Sequence, residues 1–96
     1  MSPEKQKKLN NLRKQLDKLD NSFIKLIKKR SNLVNKVLKL KSYKNQIVDK
    51  KRIKIILNAI KKKSIKNNID PKITNRIWKN MIWSYIDYEK RNFKKK

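Results

Sequence analysis

The chain has 96 residues, enough for one small domain, and a formal net charge of +23 from 30 Lys and Arg against 7 Asp and Glu. It contains no Cys, no His and no Gly. Those gaps exclude a disulfide framework, a thiolate or imidazole metal site, a histidine general base and a glycine-rich phosphate loop.

Leu9, Leu12, Leu16, Leu19, Phe23, Leu26, Arg30, Leu33, Val37 and Leu40 recur at alternating spacings of three and four. This heptad-like stripe predicts a long amphipathic helix. Ser2-Pro3 supplies an N-cap and a first helical residue, and nothing breaks the helix before Tyr43. The expected helix covers about residues 3–43, roughly 60 Å at 1.5 Å per residue. "SYKNQIV" then interrupts the pattern. Asp49 is placed to cap a second helix over about 49–67, with Ile53, Ile56, Leu57 and Ile60 on one face. Asp70-Pro71 is another cap followed by proline at the first helical position. It opens a third helix over about 71–93, with Ile73, Ile77, Trp78, Met81, Ile82, Tyr85 and Tyr88 as its buried stripe. Residues 94–96 form a basic tail. No strand pattern occurs, so the fold class is all-α, with one long helix and two shorter ones in a single domain.

A helix of roughly 60 Å exceeds a compact 96-residue globule, whose radius of gyration is about 12–13 Å. Its far half needs another chain, and a homodimer built on the long helices is the simplest solution. The lysines run through every segment beside many Asn and Ile, a pattern that suits a low-GC coding bias as well as a polyanion ligand. A nucleic-acid partner is therefore not expected, although the basic field attracts any small dianion. The chain lacks a long uncharged apolar run, so neither a membrane helix nor a signal peptide is expected, and a cytoplasmic protein is the default.

Five side chains stand out against the helical stripes. Arg30 interrupts the seam of the first helix, where a buried guanidinium needs an anion. Lys41 lies eleven residues on, close to three turns, so Arg30, Val37 and Lys41 share a face with the cations about 16 Å apart. Arg13 is about 25 Å from Arg30 along the same helix, and can join a common site only from a partner subunit. Arg52 follows the Asp49 cap by three residues. Glu89 is the one carboxylate on the apolar face with Trp78, Ile82 and Tyr85, where burial disfavours the charged form of a carboxyl. Each has a plainer reading. Arg30 could meet Asp17 or Asp20 of the partner subunit, and Arg13 and Lys41 could be solvated. Arg52 could pair with Asp49, Glu89 with Lys90 or Arg91, and Trp78 and Tyr85 could be core.

Taken together, these residues resemble the all-helical chorismate mutases. "LRKQLDKLDNSFIKLIKKRSNLVNKVLKLK" (12–41) resembles their first helix, Asp49 to Arg52 the start of their second, and "IDPKITNRIWKNMIWSYIDYEKRNF" their third. The resemblance covers about residues 9–93. It implies an intertwined homodimer with two active sites and no cofactor or metal. It also implies conversion of chorismate to prephenate, in phenylalanine and tyrosine biosynthesis. Arg13 would be donated by the partner subunit and would join Arg30 and Arg52 on the substrate carboxylates. Lys41 and Glu89 would face the ether oxygen, Asp49 would contribute near the mouth of the second helix, and Val37, Ile53, Ile82 and Tyr85 would line the pocket. Such a pericyclic reaction needs no nucleophile. It needs a folded near-attack conformer and stabilisation of charge on the ether oxygen, and arginine forks match planar carboxylates.

Two positions depart from the family pattern. Ile53 stands where Glu commonly meets the substrate hydroxyl, and Glu89 stands where Gln is usual. A carboxylate would repel the developing oxyanion, so Glu89 is expected to act in its protonated form as a donor. Ile53 and Tyr85 also resemble the related isochorismate pyruvate lyases, which leaves that reaction as an alternative. Outside enzymology stand a basic helical dimer that binds nucleic acid and a coiled-coil adaptor. The first predicts strongly salt-dependent duplex binding, and the second predicts that Arg30→Leu is tolerated.

Overall fold

A computed structural model describes residues 1–94. The basic tail expected over 94–96 falls outside the described residues from Lys95 onward. The element order is α1 (Pro3–Leu40), a short 3-10 turn (Lys44–Gln46), α2 (Lys50–Lys66) and α3 (Pro71–Asn92). No strand occurs among the described residues, and the fold is all-α. The chain divides into two units, Met1–Leu33 and a second beginning at Val34.

The first unit consists of the N-terminal part of α1. Ser2 opens it, its hydroxyl accepting from the Lys5 amide at 3.2 Å, as an N-cap requires. The apolar stripe lies in solvent. Leu12, Leu16, Leu19, Phe23 and Leu26 are all more than half exposed.

The second unit holds the core. Leu38 at the end of α1, Ile47 after the turn, and Ile82 and Ile86 of α3 are buried together, with Val48, Ile53, Ile56, Leu57 and Phe93 packed against them. The apolar face foreseen for α2 is the one that packs inward. The α1 stripe is not covered within the chain, and the α3 stripe holds at Trp78, Met81, Ile82, Tyr85 and Tyr88, all buried or half-buried, but not at its first two positions. Leu33, Val37 and Leu40 are exposed while Leu38 is buried, because the end of α1 meets α3 with a face rotated away from the heptad seam. On α3, Ile82, Ile86 and Glu89 are buried, whereas Ile73 and Ile77 are about half exposed. The inward face near the C-terminal end of α3 is thus centred on Ile82, Ile86 and Glu89.

Local chemistry sets the helix ends. α1 stops at Leu40, three residues before the expected Tyr43, because the Gln46 side chain accepts from the amides of Ser42 at 2.7 Å and Tyr43 at 2.9 Å. That satisfies donors a continuing helix would have bonded to its own carbonyls. Asp49 caps α2 by accepting from the Arg52 amide at 3.0 Å, and Asp70 caps α3 by accepting from the Lys72 amide at 2.9 Å. Between them α2 closes in a Schellman arrangement. The Ile69 amide bonds to Ser64 O and the Asn68 amide to Ile65 O, with Asn68 at φ 57°. Asparagine tolerates that left-handed position better than most residues. The turn folds α3 back on α2 as a helical hairpin. A buried hydroxyl contact of 2.6 Å between Ser64 and Thr74 ties the two helices at this end.

Candidate active site

The centre of the candidate site lies in the second unit, where the end of α1 meets α3. Lys41, the first residue beyond α1, donates from Nζ to Glu89 Oε2 at 2.9 Å. The side chains are 19% and 8% exposed. Glu89 is buried because it follows Ile82 and Ile86 on the inward face of α3. A carboxyl on that face needs a partner, and the chain supplies a cation 48 residues away in sequence. Glu89 does not turn to Lys90 or Arg91. Arg91 instead pairs with Asp87 at 3.0 Å on the solvent side of α3. Lys41 and Glu89 were each expected to face a ligand oxygen, and here they face each other.

Around this pair, Ile82 is part of the core and Ile53 packs on it. Tyr85 is half-buried on α3, and Val37 is exposed on α1. Arg52 is exposed in the first turn of α2, with Asp49 at the same turn acting through its carboxylate as the helix cap. The contact seen between Asp49 and Arg52 therefore runs to the backbone amide. Arg13 and Arg30 belong to the first unit. Arg13 is exposed, and Arg30 is half-buried with its Nε enclosed.

The periodic reading missed one contact. Tyr88 donates its hydroxyl to Asn35 Oδ1 at 2.8 Å, a second polar tie between α1 and α3. Tyr88 carried a signal as an apolar-stripe residue with a polar tip. Asn35 carried none, since an asparagine off the seam reads as solvated. Among the described residues there is no group of three His, Cys, Asp or Glu that could hold a metal, and no helix long and apolar enough to cross a membrane.

The chemistry this arrangement can perform is limited and specific. An ammonium carries three donors, and Glu89 takes one, so Lys41 has others to offer a ligand oxygen. Partial burial strengthens such a bond relative to water. The pair is also mutually dependent. Lys41→Met is expected to cost about 3 kcal/mol of stability, since it strands a buried carboxylate. The double substitution Lys41→Met with Glu89→Gln should recover much of that loss. Urea denaturation of both variants at one fixed protein concentration tests it.

Fold and site together define an all-α protein whose polar centre is a buried cation–carboxylate pair, in a chain without Cys or His. A family model described as chorismate mutase type II matches residues 12–90, a span that includes Arg13, Arg30, Lys41, Asp49, Arg52 and Glu89. The chain belongs to the type II chorismate mutase family. Membership supports chorismate mutase or a related activity, with chorismate the implied substrate. No curated protein matches the chain, and neither does any solved structure.

Proposed function

We propose that this protein is a chorismate mutase, an isomerase that rearranges chorismate to prephenate for phenylalanine and tyrosine biosynthesis in the cytoplasm. The observation that carries the reading is the buried Lys41–Glu89 pair at 2.9 Å. In this reading Lys41 and Glu89 are the two residues that would meet the ether oxygen, and both lie within the span matched by the family. In the rearrangement one C–O bond breaks as a C–C bond forms, within one molecule. No proton, electron or group leaves, so the absence of histidine and cysteine from the sequence costs the reaction nothing.

The catalytic work is then positional and electrostatic. Arg30 and Arg52, with Arg13 from the partner subunit, would hold the two carboxylates and select the folded conformer. Lys41 would donate to the ether oxygen as negative charge grows there. Glu89 would hold Lys41 in place through their ion pair. Asp49 would orient the start of α2, while Val37, Ile53, Ile82 and Tyr85 would enclose the ring. The working unit in this proposal is one domain per chain, paired with a second copy through the exposed α1 stripe from Leu12 to Leu40. That stripe is far larger than the scattered apolar residues of an ordinary monomer surface.

One observation favours a second reaction. Ile53 packs on the core and offers no polar atom to a substrate hydroxyl, which suits an isochorismate pyruvate lyase. The two are separated by incubating the protein with chorismate and, separately, with isochorismate. Prephenate from chorismate is the expected product. Salicylate plus pyruvate from isochorismate, with chorismate untouched, would replace the mutase by the lyase.

A further inference from the structure

Lys41 lies beyond the last residue of α1, and its amide makes a turn bond of 3.2 Å to Leu38 O. Its ammonium is therefore placed by how the end of α1 docks on α3, and not by a continuing helical ladder. Leu38 gives that docking its apolar contact, buried with Ile82 and Ile86. An apolar contact is non-directional, and one leucine does not by itself fix the rotation of a helix. The Tyr88–Asn35 hydrogen bond is directional. It joins the same two helices, one residue from Glu89 on α3 and six residues before Lys41 on α1, about 9 Å along the axis. Asn35 and Leu38, spaced by three, are neighbours on the surface of α1, and Lys41 follows three residues further on. The two polar ties thus stand on either side of the leucine. Close packing does not lock the Tyr88 flank, because Asn35, Tyr88 and Phe93 border an open cavity of about 340 Å³.

We propose that Tyr88, acting through Asn35, is a positioning residue for the Lys41–Glu89 pair. Its hydroxyl fixes the rotation of the end of α1 on α3, and with it the place of the Lys41 ammonium at the reacting oxygen. The inference rests on the mutase reading above for its kinetic consequence, while the tether itself is a matter of structure.

The test compares wild type with Tyr88→Phe, Asn35→Leu, Asn35→Asp and the double variant Tyr88→Phe/Asn35→Leu, using chorismate as substrate. Loss of the hydroxyl should lower kcat roughly ten- to hundredfold through misplacement of the donor. KM should change by less than about threefold, as expected when a transition-state contact is lost. Asn35→Leu should match it, the double variant should fall no further, and Asn35→Asp, which keeps an acceptor, should retain most of the rate. A Tyr88→Phe protein with wild-type kcat overturns the proposal, as do additive losses in the double variant. If wild-type protein leaves chorismate unchanged, it is the functional reading that fails. The tether is then read from the Lys41 ammonium resonance by NMR. Displacement of that resonance in Tyr88→Phe supports the positioning role, and an unmoved resonance ends it.

Discussion

Arg30→Leu is expected to abolish turnover while leaving the protein folded, dimeric and no less stable. The stability half follows from where Arg30 lies. It interrupts a stripe of leucines, phenylalanine and valine at regular heptad spacing, and leucine restores the repeat. The apolar contact that leucine gains along that seam offsets the interactions the guanidinium gives up. The activity half follows from what an arginine does for a dianion. A desolvated, bidentate guanidinium–carboxylate contact is worth roughly 3–5 kcal/mol when one partner is truncated. At 1.36 kcal/mol per tenfold, that converts to about 10²–10⁴ in kcat/KM. Arg30 is half-buried with its Nε enclosed, a setting in which such a contact is little screened by water. Initial rates together with sedimentation analysis check both halves. A fully active leucine variant would remove Arg30 from the site. A variant that aggregates or dissociates would make it a structural residue.

The all-helical fold was open to reading because its signals are local. The caps at Ser2, Asp49 and Asp70, the Pro71 start and the α2 face of Ile53, Ile56 and Leu57 each depend on residues within a few positions of one another. The signals that failed were either unmarked by residue type or non-local. The end of α1 was overrun because Gln46, a side chain that carries no cap signature of its own, satisfies the Ser42 and Tyr43 amides. Leu38 and Ile86 were missed as core because a heptad stripe records the long seam and says nothing about a second contact made at one end of the helix. The site divides in the same way. Lys41 and Glu89 could each be singled out as interruptions of a pattern. Their direct pairing could not, since periodicity carries no information about residues 48 apart. The Tyr88–Asn35 bond, 53 apart in sequence, is illegible for the same reason.

The second large effect concerns Arg13. Along one α-helix, Arg13 and Arg30 are separated by about 25 Å, more than a small diacid spans. If both serve the same substrate, they come from different subunits, and two inactive variants can repair one another. Arg13→Ala and Arg30→Ala should each be nearly inactive alone. When the two are unfolded together in equal amounts and refolded, half of the dimers form as mixed pairs. Each mixed pair contains one site in which the Arg30 and the partner-derived Arg13 are both intact, and one in which both are missing. The mixture should therefore recover about a quarter of wild-type activity, the fraction set by random two-fold pairing. No rearrangement within a single chain can produce that recovery, because each chain carries a lesion. A mixture as inactive as its components would separate Arg13 from the Arg30 site. An Arg13→Ala protein active by itself would return Arg13 to the solvated surface on which the lone chain displays it. In either case the exposed leucine stripe would still call for a partner, but that partner would have no part in the chemistry.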